Sequence, residues 1–165
     1  MLYKSWFCVI LSSVKNYLNT FKSYNYPFGC GTVALYNCLH FYNKISNHSY
    51  DFLAKLAKEL KEKDQKVVNK QMGKVLENYF KVEHVTSPTM DRVLNHLDSG
   101  KILITLHYNA PSENDSVGHF IFMYGSKHLA YEGKKIIYKD ELNKILSKKC
   151  KTDDHPCEVW FLDKK

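Results

Sequence analysis

A chain of 165 residues with 44% hydrophobic and 14% aromatic content has the length and composition of one folded domain with a sizeable core, which sets a disordered chain aside. Its 24 Lys+Arg against 17 Asp+Glu leave a net charge of +7, yet Arg92 is the sole arginine. Without the bidentate forks that read bases and clamp phosphates, specific nucleic-acid recognition is not expected, and the lysine surplus points to solubility or an acidic substrate or partner. Five cysteines, at 8, 30, 38, 150 and 157, are odd in number and too sparse for a disulfide scaffold. They suit a reducing compartment, so a cytoplasmic location is expected. No run of about 18 apolar residues exists, hence no membrane span is expected. Trp6 to Leu11 behind Lys4 has some character of a signal peptide, but its apolar run is short and Ser12-Ser13-Val14 is a poor cleavage site, so secretion stays open.

One domain over residues 1–165 is expected, with a lead-in at 1–22, a helical half at 23–97 and a sheet half at 98–165. Pro27 and Gly29 stop whatever precedes them. Apolar residues at 34, 35, 38, 39, 41, 42 and 45 then follow helical spacing from Cys30 to about residue 43. Asn43 to Ser49 reads as a turn. Ser49 caps a second helix from Tyr50, with Leu53, Leu56, Ala57 and Leu60 on one face, and the charged run from Lys58 to Lys66 reads as a solvated surface. A third helix is expected over Asn69 to Tyr79, a short strand over Lys81 to Val85, and a fourth helix from Met90 to Leu97 capped by Thr89. The second half changes character. Lys101 to Tyr108 and Gly118 to Gly125 read as buried strands, residues 128–132 and 135–138 as further strands, Asp140 to Leu146 as a short helix, and Glu158 to Leu162 as a closing strand. Helices first and antiparallel-looking strands second make an α+β layout.

The chemistry centres on Cys30. At the first turn of a helix, free N–H groups and the positive end of the dipole favour a thiolate and can donate to an oxyanion. His119 opens a buried strand after a glycine, at the mouth of a loop. A histidine there can take a thiol proton and return it to a leaving amine. Cys38 and Cys8 sit on apolar faces and read as core. His107 ends the strand before that loop, where packing is the simpler role.

Pro-Phe-Gly-Cys leading into a helix, then a helix ending before Ser-Gly-Lys, an apolar strand at Ile102-Leu103-Ile104, a polar loop and Gly118-His119-Phe120, resembles the papain-like cysteine peptidases of the bacteriocin-processing, double-glycine-leader type. The resemblance spans roughly residues 23 to 162. It implies a papain-like α+β fold with helices packed on an antiparallel sheet, Cys30 as nucleophile, His119 as base, and cleavage of a peptide or isopeptide bond beside a small residue such as glycine. No cofactor is implied, and the partner is a peptide or protein substrate. The family's oxyanion glutamine, six or seven residues before the nucleophile, is replaced by Tyr24 and Ser23, which leaves Asn25 as the nearest amide. The orienting Asp or Asn after the histidine is also missing. Glu132 is the first positional candidate for it and Asp140 the second.

Cys150, His155 and Cys157 crowd into a loop with Asp153 and Asp154; a plain loop, a zinc site and a disulfide are all open there. Three rivals to the peptidase remain: an inactive papain-like domain used as a binding module, a transpeptidase acting on glutathione-like thiols, and a lysine-rich adaptor for an acidic partner.

Overall fold

The computed structural model describes residues 28–45, 50–64, 67, 69–108, 118–125, 129–132, 135–138, 140, 142 and 157–165. Among the described residues four helices can be delimited, α1 (Cys30–Phe41), α2 (Tyr50–Glu59), α3 (Asn69–Tyr79) and α4 (Met90–Asp98); the expected helix from Asp140 to Leu146 lies mostly outside them. Six strands, β1 (Phe80–Thr86), β2 (Ile102–Tyr108), β3 (Gly118–Tyr124), β4 (Leu129–Glu132), β5 (Lys135–Tyr138) and β6 (Glu158–Lys164), form one sheet in the order β1-β6-β2-β3-β4-β5. Every neighbouring pair is antiparallel. The α+β class expected from the sequence is therefore what the chain adopts.

Alternation along the strands divides the interior into two cores. Ile102, Ile104, Leu106, Phe120, Phe122, Tyr124, Trp160 and Leu162 face α1, α2 and α3. Leu103, Ile121, Met123, Val159 and Phe161 face the other way, against Val93, Leu94 and Leu97 of α4 together with Leu142 and Cys157. The helices thus lie on both sides of the sheet, where the sequence order suggested a helical half packed on a sheet half. The reason is in the strands. A run such as Ile102 to Leu106, mostly apolar and buried at every position, needs a cover on each face.

A second departure concerns β1. It belongs to the helical half by sequence, yet pairs with the last strand over seven register positions, from Phe80↔Lys164 to Thr86↔Glu158. β6 in turn pairs with β2, so the closing segment lies inside the sheet and Trp160 is 1% exposed.

α1 is buried from Gly31 through Leu39, so it has no solvated face. It ends in a Schellman turn: Asn43 lies at φ 54°, its N–H reaches His40 O, and Lys44 N–H reaches Leu39 O. α2 and α3 are amphipathic, burying Leu53 and Leu56, and Met72, Val75 and Leu76. α4 starts where Thr89 Oγ1 accepts from Arg92 N–H and ends before Gly100, whose φ of 77° is the left-handed turn that glycine enters without a Cβ penalty. Among the described residues no helix is long and apolar enough to cross a membrane.

Candidate active site

Cys30 is the first residue of α1, with Gly29 at the N-cap in an extended conformation. The first intrahelical bond runs from Val33 N–H to Gly29 O, at 3.2 Å. Helix geometry therefore leaves the N–H groups of Cys30, Gly31 and Thr32 without an intrahelical acceptor. The next residue, Gly31, meets the segment that leads into α3. A Cβ built there would stand 2.9 Å from Val67 Cγ2 and 3.2 Å from Met72 Cε, so a side chain at position 31 would push α3 away from the start of α1.

The sulfur of Cys30 is held at the edge of β3. Phe120 N–H donates to Cys30 Sγ at 3.4 Å, so a hydrogen bond spanning 90 residues joins the two motifs. Among the described residues β4 pairs with β3 at Met123↔Glu132 and Tyr124↔Tyr131, so β4 stops short of Phe120. The sulfur takes the donor that a longer β4 would have paired, which matters because a buried strand N–H is costly to leave unmade. Cys30 and His119 are both half-buried.

His119 precedes Phe120 on the same strand and stands opposite His107 in the register with β2. Phe120, Phe122 and Tyr124 belong to the α1 core, whereas Ile121 and Met123 belong to the α4 core. Regular alternation along β3 would set His119 on the face of Ile121 and Met123, across the strand from Phe120. Glu132 is opposite Met123, at the end of β4 nearer the sulfur. Asp140 is exposed. Asn25, Tyr24, Ser23, Cys8, Cys150 and His155 lie outside the described residues.

A residue that sequence reading missed stands closest to the helix start. Gly29 N–H donates to Glu62 Oε1 at 2.8 Å, and the hydroxyl of Thr32 donates to Glu62 Oε2. Glu62 falls in the run from Lys58 to Lys66 that the sequence predicts to be solvated; it is instead half-buried and turned toward the start of α1. A Schellman turn delivers it. Lys61 lies at φ 52°, Lys61 N–H reaches Lys58 O, and Glu62 N–H reaches Ala57 O. The carboxylate does for α1 what a capping-box glutamate does, from 33 residues away. The signal available in the sequence was slight: an N-cap glycine with no side chain of its own to cap the helix.

The other cysteines are packed away. Burial pushes the thiol of Cys38 well up, and that of Cys157 to about 12. Cys157 sits in the α4 core with Val159 and Phe161. Among the described residues no group of three or more His, Cys, Asp or Glu could hold a metal.

A second polar cluster lies on the α3 side of the sheet. Glu158 accepts from Asn69 Nδ2 at 2.6 Å and pairs with His84 Nε2 at 2.8 Å, while the His84 ring stacks on Trp160 with centroids 4.6 Å apart and planes 4° from parallel. The sequence reading singled out none of these residues. Neither a protein-family model nor a curated protein sequence matches the chain.

Proposed function

We propose that the chain is a cysteine peptidase of papain-like type, cleaving a peptide or isopeptide bond beside a small residue through Cys30 and His119. The observation that carries the reading is the hydrogen bond from Phe120 N–H to Cys30 Sγ, which brings the sulfur to the strand residue next to His119. In the proposed reaction the imidazole takes the thiol proton and the sulfur attacks the substrate carbonyl. The developing oxyanion accepts from N–H groups in the first turn of α1, and Asn25 is the candidate for a side-chain donor. The imidazolium then protonates the leaving amine, and water, deprotonated by the same imidazole, hydrolyses the thioester. Glu132 is the candidate to orient the ring.

One observation favours a second reading, a papain-like fold kept as a binding module: Glu62 sets a carboxylate at the helix end where a thiolate would gain its stabilisation.

Site-resolved iodoacetamide labelling across pH 4 to 9 separates the two, with His119→Ala as the control. An activated pair gives rapid labelling of Cys30 near pH 6, where an ordinary thiol of pKa ~8.5 is almost wholly protonated, and the histidine variant abolishes it. Slow labelling that ignores His119 rejects the peptidase. Given rapid labelling, hydrolysis of glycine-containing peptides tests the substrate.

A further inference from the structure

A groove of about 590 Å³ runs between α3 and the β1–β6 pair, lined by Lys70, Gly73 and Lys74 on the helix and by Val82, His84 and Trp160 on the sheet. We propose that this groove is a docking site for an extended acidic peptide, whose carboxylates at alternate positions pair with Lys70 and Lys74.

Three features carry the proposal. The first is charge. Lys70 and Lys74 are exposed, four residues apart on one helix face, and among the described residues neither makes an ion pair. Like charges at that spacing repel each other, and an anion between or beside them relieves the repulsion. Glu158, the carboxylate at the groove's base, has one oxygen on Asn69 and the other on His84, so both of its oxygens already have hydrogen-bond partners. His84, with Nε2 on Glu158, lines the groove and its side chain is 45% exposed. Glu77 is the one other acid among the groove residues, one turn beyond Lys74 on α3 and so a neighbour of that lysine but not of Lys70.

The second feature is shape. Side chains at i and i+4 on a helix are about 6 Å apart, close to the ~6.8 Å between alternate side chains of an extended strand. A β-conformation peptide can therefore set two carboxylates against the two lysines while its backbone lies along the groove.

The third is Gly73, in mid-helix between those lysines. A Cβ there would lie 3.4 Å from Trp160 Nε1, an ordinary contact. Packing therefore does not demand a glycine, although glycine weakens a helix interior. What its absent side chain leaves is an indole Nε1 edge with no methyl from α3 against it.

The site does not use Cys30, so it stands or falls apart from the peptidase reading. The test is fluorescence anisotropy of rhodamine-labelled Gly-Gly-Glu-Gly-Glu-Gly-Gly with the full chain at low salt. The counterpart peptides carry glutamine for glutamate, or the two glutamates adjacent. The alternate-glutamate peptide is expected to bind, to outcompete both counterparts, and to bind about tenfold more weakly to the Lys70→Ala/Lys74→Ala pair. The charge-matched control, Lys55→Ala/Lys58→Ala on α2, is expected to leave binding unchanged. Equal loss in both variants would mean that net charge alone attracts the peptide and would overturn the proposal. So would equal binding of the adjacent-glutamate peptide, or no binding at millimolar protein.

Discussion

The start of α1 and the groove beside α3 are both polar sites on the same side of one sheet, but they are built in different ways. At the α1 start the chemistry belongs to short contiguous segments, Phe28-Gly29-Cys30-Gly31 and Gly118-His119-Phe120, and a hydrogen bond to sulfur links them. In the groove, Asn69, His84, Glu158 and Trp160 come from three separate elements, and no two are neighbours in sequence. The first kind of site depends on local backbone: a helix end and a strand edge. The second depends on register, because His84 is directly opposite Trp160 only while β1 pairs with β6 as it does. Damage to sheet pairing should therefore reach the groove before it reaches Cys30.

Substitutions can test that independence. The largest effect is expected for Glu158→Ala. It strips the acceptor from Asn69 and His84, and hydrogen bonds to a charged group are typically worth about 1.5–3 kcal/mol, so a loss of about 2 kcal/mol should appear in denaturant unfolding. Half of the contact is exposed, which keeps the figure toward the low end. Iodoacetamide labelling of Cys30 should stay unchanged; a large change would mean that the two regions are coupled.

Glu62→Gln comes next, and it separates capping from charge. The amide oxygen can still accept from Gly29 N–H, so the cost should be near 0.5–1 kcal/mol. Removing the anion from the helix end should speed Cys30 alkylation at neutral pH. A slower reaction would show that Glu62 helps the thiol, by position or as a base, and would end its role as an opposing charge.

Gly73→Ala should raise stability by about 0.5–1 kcal/mol, since a methyl there makes only ordinary contact with Trp160 Nε1. The same methyl narrows the groove, so weaker acidic-peptide binding in a more stable chain would tie the glycine to recognition.

The smallest change expected is a pH effect on the α4 face, away from both sites. His96 is half-buried with Nε2 on Ile102 O at 2.8 Å, and desolvation lowers its pKa below the ordinary 6.5. Above that value both folded and unfolded chains carry the neutral ring. As pH falls below about 6.5 the unfolded chain takes the proton first, so His96 removes stability progressively until its lowered folded pKa is passed. Chemical denaturation of His96→Gln between pH 7.5 and 5 should show a shallower acid decline than the native chain. An unchanged slope would assign the decline to other groups.

The elements themselves were largely legible. α3 starts at Asn69 and ends at Tyr79 as its apolar spacing requires, and α4 starts at Met90 behind the hydroxyl of Thr89. The apolar run after Gly118 became β3, and the apolar run before Tyr108 became β2. Such features follow from local rules: one apolar face per helix, one cap per helix start, one glycine where φ turns positive. Cys30 was legible for the same reason, since a turn of Pro and Gly before a helix marks a helix start wherever the rest of the chain goes.

What no local rule contains is which elements meet. Burial of both faces of β2 placed α4 opposite the other helices, and the edge left by a short β4 gave the Cys30 sulfur its donor. Glu62 could be told from its exposed neighbours only by where the Schellman turn at Lys61 directs it, onto an N-cap 33 residues earlier. The groove exists because β6, the last strand, inserts between β1 and β2 and carries Trp160 and Glu158 to His84. Local sequence determines backbone shape within a few residues; pairing of strands and the meeting of distant charges are decided by the free energy of covering every apolar face at once, which only the whole chain can satisfy.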